Sequence, residues 1–227
     1  MKLLRLKLKA PLQSWGEFSR WDHRDTASMP TKSGIIGLLG CCMGCPRGDA
    51  RLEALSQSIH MAVRADSPGQ LMTDYHTVQG SNGVLLNAAG KPRGKNGTII
   101  TPRQYLQDAA FTVWLWGDMQ ALEACRYALL HPVWPPFLGR KSCVPSVPLL
   151  PQWVEADSVD EAVRACEMRR PRHSMAVEIE MTDTEKPGSR ERAMERRDEV
   201  IRADLNQYHR RRVRAAIIRK EDMHVSE

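Results

Sequence analysis

The alternation of apolar and polar residues along this chain predicts several β-strands. Leucine alternates with arginine or lysine over residues 4–9, which predicts a strand with one face in the core and one basic face. The same period of two predicts strands over residues 59–66, 111–116 and 175–181. The basic face of the first strand would suit RNA.

One glycine-rich helix is predicted over residues 31–44, and the rest of the fold is expected to pack around it. Thr31 or Ser33 can cap its first amides, and Lys32 beside them makes this helix N-terminus a natural seat for a phosphate. Glycines at three- and four-residue spacing leave one helix face without side chains, so we expect another backbone to pack closely there. Replacing Gly37 by leucine should then impair folding through overpacking.

Further helices are predicted from caps and spacing. Residues 50–58 have inward leucines, Asp118 caps the helix that follows the third strand, and residues 158–167 form a short helix. Residues 190–206 have helical propensity, whereas residues 213–218 are expected to end a strand.

Between the second and third strands, the composition changes to a long, glycine-rich and basic stretch. Its flanks at residues 71–78 and 98–105 are extended and apolar, and its middle carries Lys91, Arg93 and Lys95. A loop of this length inside a compact domain is usually functional or disordered. We predict a protruding hairpin, or thumb, rather than disorder.

The order of these elements predicts the fold. The predicted elements come in the order strand, helix, strand, inserted arm, strand, helix and edge strand. This is the split βαβ order of a ferredoxin-like fold. We therefore predict an α+β protein whose ferredoxin-like, RNA-recognition-motif-like domain covers residues 1–154, with a β-hairpin thumb at about 71–106. Residues 155–227 are predicted to form a small basic C-terminal module.

Charge and composition narrow the possible partners. The excess of 33 Lys and Arg over 27 Asp and Glu lies entirely within residues 190–220, which favours either a polyanion partner or a solvated charged face. Six unevenly spread cysteines do not resemble a disulfide framework, and the C-x-x-C at residues 42–45 lacks a second ligand pair. No apolar stretch approaches about 18 residues, so we expect a cytoplasmic protein with no membrane association.

Several residue types along the chain suit RNA. Single-stranded RNA is held by stacking on aromatic or guanidinium planes and by cations along its backbone. The loop at residues 137–143 combines glycine with adjacent cations, which allows close approach to a phosphate. The candidate RNA-binding residues are Arg24, Lys32, Ser33, Tyr75, His76, Arg103, Tyr105, Gly139, Arg140 and Lys141.

Four blocks in register resemble the CasD family of subunits of the type I-E CRISPR Cascade complex. They are the segments 11–16 and 30–40, the paired segments 75–78 and 103–106, and the segment 138–143. The resemblance covers about residues 1–150. It implies a RAMP-type ferredoxin-like domain with a thumb and a C-terminal appendage.

The resemblance also implies a function. Members of this family hold the 5′ handle of the CRISPR RNA, contact the backbone subunits and the large subunit of Cascade, and meet target DNA only indirectly. By position, Arg103 matches a basic residue at the thumb base, and the loops 24–34 and 139–142 match regions that face RNA. Residues 190–227 are richer in arginine than the family pattern, so RNA or DNA contacts there do not follow from the resemblance.

The alternative is an enzyme. Some relatives in other Cascade types cut the repeat RNA without a metal, which requires a general base and a cation near the scissile phosphate. His23, His76 and Tyr75 are candidates, but this sequence has no Lys-His pair where such relatives carry one. A generic ribosome-associated RNA-binding protein would fit the charge but not the matching blocks. We therefore predict a non-catalytic RNA-binding subunit with no metal site and no cofactor.

Overall fold

The computed structural model describes residues 1–17, 23–80, 83–86, 89–92, 98–167, 173–182, 184–205 and 207–223. The helices in these ranges are α1 Lys32–Cys42, α2 Ala50–Ser58, α3 Met119–Leu130 and α4 Val159–Ala165, followed by a 3₁₀ turn at Lys220–Asp222. The strands are β1 Lys2–Lys9, β2 Leu12–Gln13, β3 Ile59–Ser67, β4 Gln70–Gln79, β5 Thr98–Gln107, β6 Ala110–Gly117, β7 Gln152–Glu155, β8 Ser174–Met181, β9 Arg192–Arg202 and β10 Gln207–Arg219.

The predicted α+β class is confirmed, and the strand order of the main sheet is compatible with a ferredoxin-like fold. Its strands lie in the order β7-β1-β6-β3, with α1 and α2 between β1 and β3 and with α3 between β6 and β7. All of these neighbours are antiparallel. The sheet then continues through β8, β10 and β9.

The two faces of this sheet belong to two apolar clusters. The alternating leucines of β1 pack beneath α1 and α3, together with the inward residues of β3 and β6. On the other face, Ala162 and Val163 of α4 pack against Trp114 and the apolar residues of β8. Because α4 covers part of this second face, the sheet is not an open platform of the kind on which RNA-recognition motifs stack bases.

The predicted thumb is confirmed as a hairpin. Strands β4 and β5 pair in unbroken antiparallel register from Gln70 with Gln107 to Gln79 with Thr98. The short strand β2 joins the base of β5, which makes a separate three-stranded sheet. Lys91 is among the described residues, whereas Arg93 and Lys95 lie outside them.

The sequence left the structure of the last forty residues ambiguous, and the helical propensity of residues 190–206 does not produce a helix among the described residues. Residues 192–202 form β9, because alternate side chains of this segment, including Asp198 and Val200, are buried when it pairs with β10. Tertiary pairing thus overrides local propensity. Since β8 pairs with β3, strands on both sides of residue 154 share one sheet, and the division into two domains stays a prediction.

The glycines of α1 do not share one environment. A Cβ on Gly34 would lie 2.7 Å from Trp15, and one on Gly40 would lie 2.3 Å from Leu52, so both glycines make room for a side chain. A Cβ on Gly37 would meet nothing within 4 Å. The expectation that Gly37 is closely packed is therefore wrong, because this residue faces outward.

Two alanine substitutions in α1 should have opposite effects. Gly37→Ala should raise the free energy of unfolding by about 0.5–1 kcal/mol, since alanine fits open space and costs less entropy in a helix. Gly34→Ala should lower it by about 1–3 kcal/mol, because the new methyl group collides with Trp15. Urea denaturation of both variants would measure this, and a destabilised Gly37→Ala would contradict it.

Candidate nucleic-acid interface

The base of the thumb is bound to the loop that precedes α1. The backbone N–H of Arg24 donates to the Pro102 carbonyl at 3.0 Å, and the N–H of Gln104 donates to the Arg24 carbonyl at 2.7 Å. These bonds form a parallel bridge between Arg24 and Arg103, which places the two arginines side by side. The bridge therefore fixes the position of Arg103 relative to the loop before α1.

A third arginine, Arg140, stabilises this junction through hydrogen bonds to the backbone. The guanidinium of Arg140 donates to the carbonyls of Gln104, Arg24 and Asp25 at 2.9, 3.1 and 3.2 Å. Its Cζ also lies 4.5 Å from the centre of the Tyr105 ring. Arg140 therefore holds the glycine loop, the thumb and the loop before α1 together.

The glycine loop itself fits against the segment that follows β1. Gly139 has φ +94°, and a Cβ there would lie 1.6 Å from the Ser14 carbonyl oxygen, so only glycine fits. The Ser14 N–H donates to the Leu138 carbonyl at 3.1 Å. The neighbouring Trp15 packs on Gly34 at the start of α1. The four sequence blocks that resemble one family thus meet at a single place.

Two candidate residues at this place, Arg103 and His76, lie on one face of the thumb. Arg103 is half-buried, and its Nε donates to Thr101 Oγ1 at 3.2 Å. His76 shares that face, since its cross-strand partner is Thr101, and its Nδ1 lies 3.2 Å from Asp74. Lys141 is exposed on the glycine loop. We call Arg103, His76 and Lys141 the thumb-base surface.

A family model described as CRISPR-associated protein (Cas_Cas5) matches residues 3–221. The chain belongs to this Cas5 family of CRISPR-associated proteins. The sequence resemblance is thereby confirmed at the level of the family.

The Cas5-family chain is also similar to individual proteins. It is 38% identical over 174 residues to the CRISPR system Cascade subunit CasD of Escherichia coli (strain K12), which covers 70% of this chain and 75% of CasD. A chain of a CRISPR RNA-guided surveillance complex superposes with a TM-score of 0.74 at 32% identity, covering 96% of this chain and 89% of that one. A crystal structure of a Cas protein gives 0.70 at 31% identity and covers 97% of both chains.

Four of the candidate RNA ligands in this Cas5-family chain have structural contacts instead. Arg140 and Gly139 hold the junction, and Tyr105 is 5% exposed beneath Arg140, so its ring is not available to a base. Tyr75 is exposed, but it lies on the opposite thumb face from His76 and Arg103 because its cross-strand partner is Pro102. The expected cluster of these aromatic and basic residues is therefore divided.

Lys32 is the fourth candidate RNA ligand with structural contacts, and its side chain is buried. Its side chain is 2% exposed, and its Nζ lies 2.9 Å from Glu180 and 3.2 Å from Glu199. The backbone N–H of Lys32 donates to Asp198 at 2.7 Å. The carboxylate of Asp198 therefore occupies the helix N-terminus at which a phosphate was expected to bind. Thr31 is the N-cap of α1, and Ser33 beside it stays partly exposed.

Lys32 belongs to a buried ionic cluster that sequence reasoning missed. Arg211 binds both oxygens of Asp198, at 2.8 and 2.9 Å, and also lies 3.7 Å from Glu180. Burial alone would raise the pKa of Glu180, but a hydrogen bond from His60 and the charges of Lys32 and Arg211 together hold it below its usual value. No regular spacing links these residues, so the sequence carried no signal for the cluster.

Most arginines of the basic C-terminal segment are likewise paired within the chain. Arg196 contacts Glu178 and Glu17, and Arg214 contacts Asp160 and Glu191. The charge excess of residues 190–220 is therefore mostly bound to local carboxylates and does not by itself mark a polyanion site.

Neither thiol chemistry nor a metal centre is evident in the described part of the chain. All six cysteines are buried and free. Burial raises the pKa of the Cys42 thiol to about 11, which keeps it protonated. No group of three or more His, Cys, Asp or Glu among the described residues could hold a metal ion. The described helices include none long and apolar enough to cross a membrane.

Lys32→Met should lower the free energy of unfolding by about 3–5 kcal/mol, because it leaves buried carboxylates without their cation. Urea denaturation at neutral pH would measure the loss. Lys9→Met replaces an exposed lysine on β1 and should stay within about 0.5 kcal/mol of the original protein. Equal stability of the two variants would contradict the role assigned to Lys32.

Glu180→Gln should destabilise the protein at neutral pH and lose that effect in acid. The folded pKa of Glu180 lies below its ordinary value of 4.5, so the ionised carboxylate stabilises the fold above that pH. This contribution is lost as the pH falls through the folded pKa. Denaturation curves between pH 7 and 3 should show the stability difference shrinking, whereas Glu195→Gln, at an exposed carboxylate, should show little difference throughout.

Proposed function

We propose that this chain is a non-catalytic subunit of a CRISPR Cascade surveillance complex and binds the 5′ handle of the CRISPR RNA. The observation that carries the proposal is the bridge of Arg24 with Arg103 at the thumb base. The bridge fixes Arg103 at the thumb base, and the guanidinium of Arg103 suits a phosphate of an RNA backbone. The similarity to CasD supports the same function.

The proposed RNA path follows the thumb-base surface. Cations along a backbone and planar groups for stacking are the two contacts that hold single-stranded RNA. On this path, Arg103 and Lys141 contact phosphates, and His76 adds a planar ring. The residues that face the RNA in this proposal are Arg24, Ser33, His76, Arg103 and Lys141, whereas Tyr75 lies on the opposite face of the thumb. The other candidate residues have a structural role in this proposal and do not contact RNA: Gly139, Arg140, Tyr105 and Lys32.

The proposed partners follow from the same assignment. The chain would cap the Cascade backbone, contact the large subunit, and meet target DNA only through the assembled complex in the cytoplasm. Its contribution to antiviral defence would be to hold the guide RNA for RNA-guided DNA interference.

The geometry favours binding over RNA cleavage. Tyr75 and His76 lie on opposite faces of the thumb, so they cannot converge on one scissile phosphate without rearrangement. His76 and Asp74 do form a pair at 3.2 Å, which leaves His76 as the candidate base of the alternative, a metal-independent endoribonuclease.

Arg103→Ala should weaken binding of the 5′ handle RNA about tenfold and reduce the salt dependence of binding, because one cationic contact with a phosphate is lost. Fluorescence anisotropy of the isolated chain at several salt concentrations would measure both. Arg164→Ala is the matched control, since Arg164 lies on α4 against the opposite sheet face.

The same repeat RNA should remain intact on a denaturing gel. Unchanged handle affinity in Arg103→Ala would overturn the assignment of the thumb base. Specific cleavage that resists EDTA and disappears in His76→Ala would move the chain to the endoribonuclease class.

A further inference from the structure

Three buried hydrogen-bond donors lie on neighbouring strands of the main sheet, on the face that α4 partly covers. They are Arg5 Nε, Arg64 Nη2 and the indole Nε1 of Trp114, and none of them has a hydrogen-bond partner among the described residues. The strand register makes them neighbours, because Arg5 pairs with Trp114, and Trp114 pairs with Ala62, two residues before Arg64. Buried donors without a partner cost free energy, so each one needs an explanation.

The residue that follows α4 brings the two guanidinium groups together. Arg5 Nη1 donates to the thiol sulfur of Cys166 at 3.3 Å, and Arg64 Nη1 donates to the carbonyl oxygen of the same cysteine at 2.9 Å. The Cζ of Arg64 also lies 5.4 Å from the centre of the Trp114 ring. Arg5, Arg64 and Trp114 therefore form one group, which we call the donor cluster.

The donor cluster carries more positive charge than its own contacts neutralise. Arg64 Nε is paired with the carboxylate of Asp66 at 2.7 Å. Arg5 donates to two uncharged partners, Gln152 and the thiol of Cys166. Within the described ranges, one of the two guanidinium groups thus lacks a carboxylate partner.

The donor cluster lies beside an exposed part of β1. Lys7 is exposed and shares the sheet face of Arg5, because the two residues are two positions apart on one strand. Lys7 pairs with Thr112, which pairs with Arg64 on its other side. Since Arg5 itself is half-buried, a small ligand can reach the cluster from the side of Lys7.

We propose that the donor cluster binds a small phosphate, either inorganic phosphate or the terminal phosphate of a mononucleotide. A phosphate offers several acceptor oxygens, whereas one water molecule accepts at most two hydrogen bonds and must also donate. Three donors with an excess of positive charge therefore favour an oxyanion over water, and planar guanidinium groups match its geometry.

Burial favours a small ligand over a nucleic acid chain. A free or terminal phosphate can approach buried donors more closely than a phosphate inside a chain can, because its neighbours on both sides hold that one at the surface. No residue of the donor cluster belongs to the thumb-base surface, so the proposal does not depend on the proposed function.

The test is isothermal titration calorimetry of the full chain with sodium phosphate and with adenosine monophosphate, each in sodium chloride matched for ionic strength. Both should bind and raise the midpoint of thermal unfolding, since a ligand of the folded state stabilises it. Arg5→Gln should weaken phosphate binding about tenfold, because a charge-assisted hydrogen bond is lost. Arg210→Gln is the matched control, because Arg210 is an exposed arginine on β10 and should leave phosphate affinity unchanged.

A second variant tests the indole donor. Trp114→Phe removes Nε1 and keeps an aromatic ring in the core, so it should also weaken phosphate binding. In both variants, the far-ultraviolet circular dichroism spectrum and the affinity for handle RNA should stay unchanged, which separates loss of the site from misfolding. Arg103→Ala should retain phosphate binding, which separates this site from the thumb base.

Three results would overturn the proposal. The first is that neither probe binds the unmodified chain, and the second is unchanged phosphate affinity in both Arg5→Gln and Trp114→Phe. The third is displacement of bound phosphate by handle RNA in the Arg103→Ala chain, which would assign the donor cluster to a nucleic acid backbone. Failure of the unmodified chain to bind handle RNA would refute the proposed function and leave the phosphate titration to be interpreted by itself.

Discussion

The buried cluster around Lys32 is the interaction on which the rest of the structure depends. A lysine buried at the first turn of a helix is tolerated only when carboxylates neutralise it, and here these come from β8 and β9, more than a hundred residues later. The cluster therefore fixes α1 to the C-terminal strands. Because Gly34 at the start of α1 receives Trp15, the same contact positions the segment against which Gly139 and the thumb base assemble.

Arginine has two separate uses in this chain, and the hydrogen-bond partners of each side chain distinguish them. Arg140 and Arg211 direct their planar groups at carbonyls or carboxylates inside the protein, where several fixed donors satisfy several acceptors at once. Arg103, half-buried at the thumb base, makes one side-chain hydrogen bond, through Nε to Thr101. A local excess of arginine in the sequence therefore does not by itself mark an anion site, since most of the basic C-terminal segment is neutralised by carboxylates within the fold.

Local signals account for what the sequence predicted correctly. Alternation over residues 4–9 reflects a strand whose leucines are buried and whose lysines are exposed, whereas residues 59–66 form a strand that is buried on both faces. Thr31 and Asp118 cap the expected helices. The burial of Lys32 depends on partners distant in sequence, so no local pattern could predict it. By contrast, the separation of Tyr75 from His76 was predictable, because adjacent residues of a strand point to opposite faces. The strand at residues 192–202 was missed because its pairing with β10 outweighs its helical propensity.

The thumb shows why the junction at its base matters more than the arm itself. A two-stranded ribbon has no core of its own, and the exposed Leu71, Tyr75 and Ile100 show that one face of this ribbon stays uncovered within the chain. Its orientation is therefore set where β5 meets β2 and the loop before α1, at the carbonyls bound by Arg140. A guanidinium that contacts three backbone carbonyls from separate segments fixes their mutual positions, and thereby fixes the position of the neighbouring Arg103. The geometry of the thumb-base surface thus depends on a half-buried arginine whose hydrogen bonds are made to the backbone of the neighbouring segments.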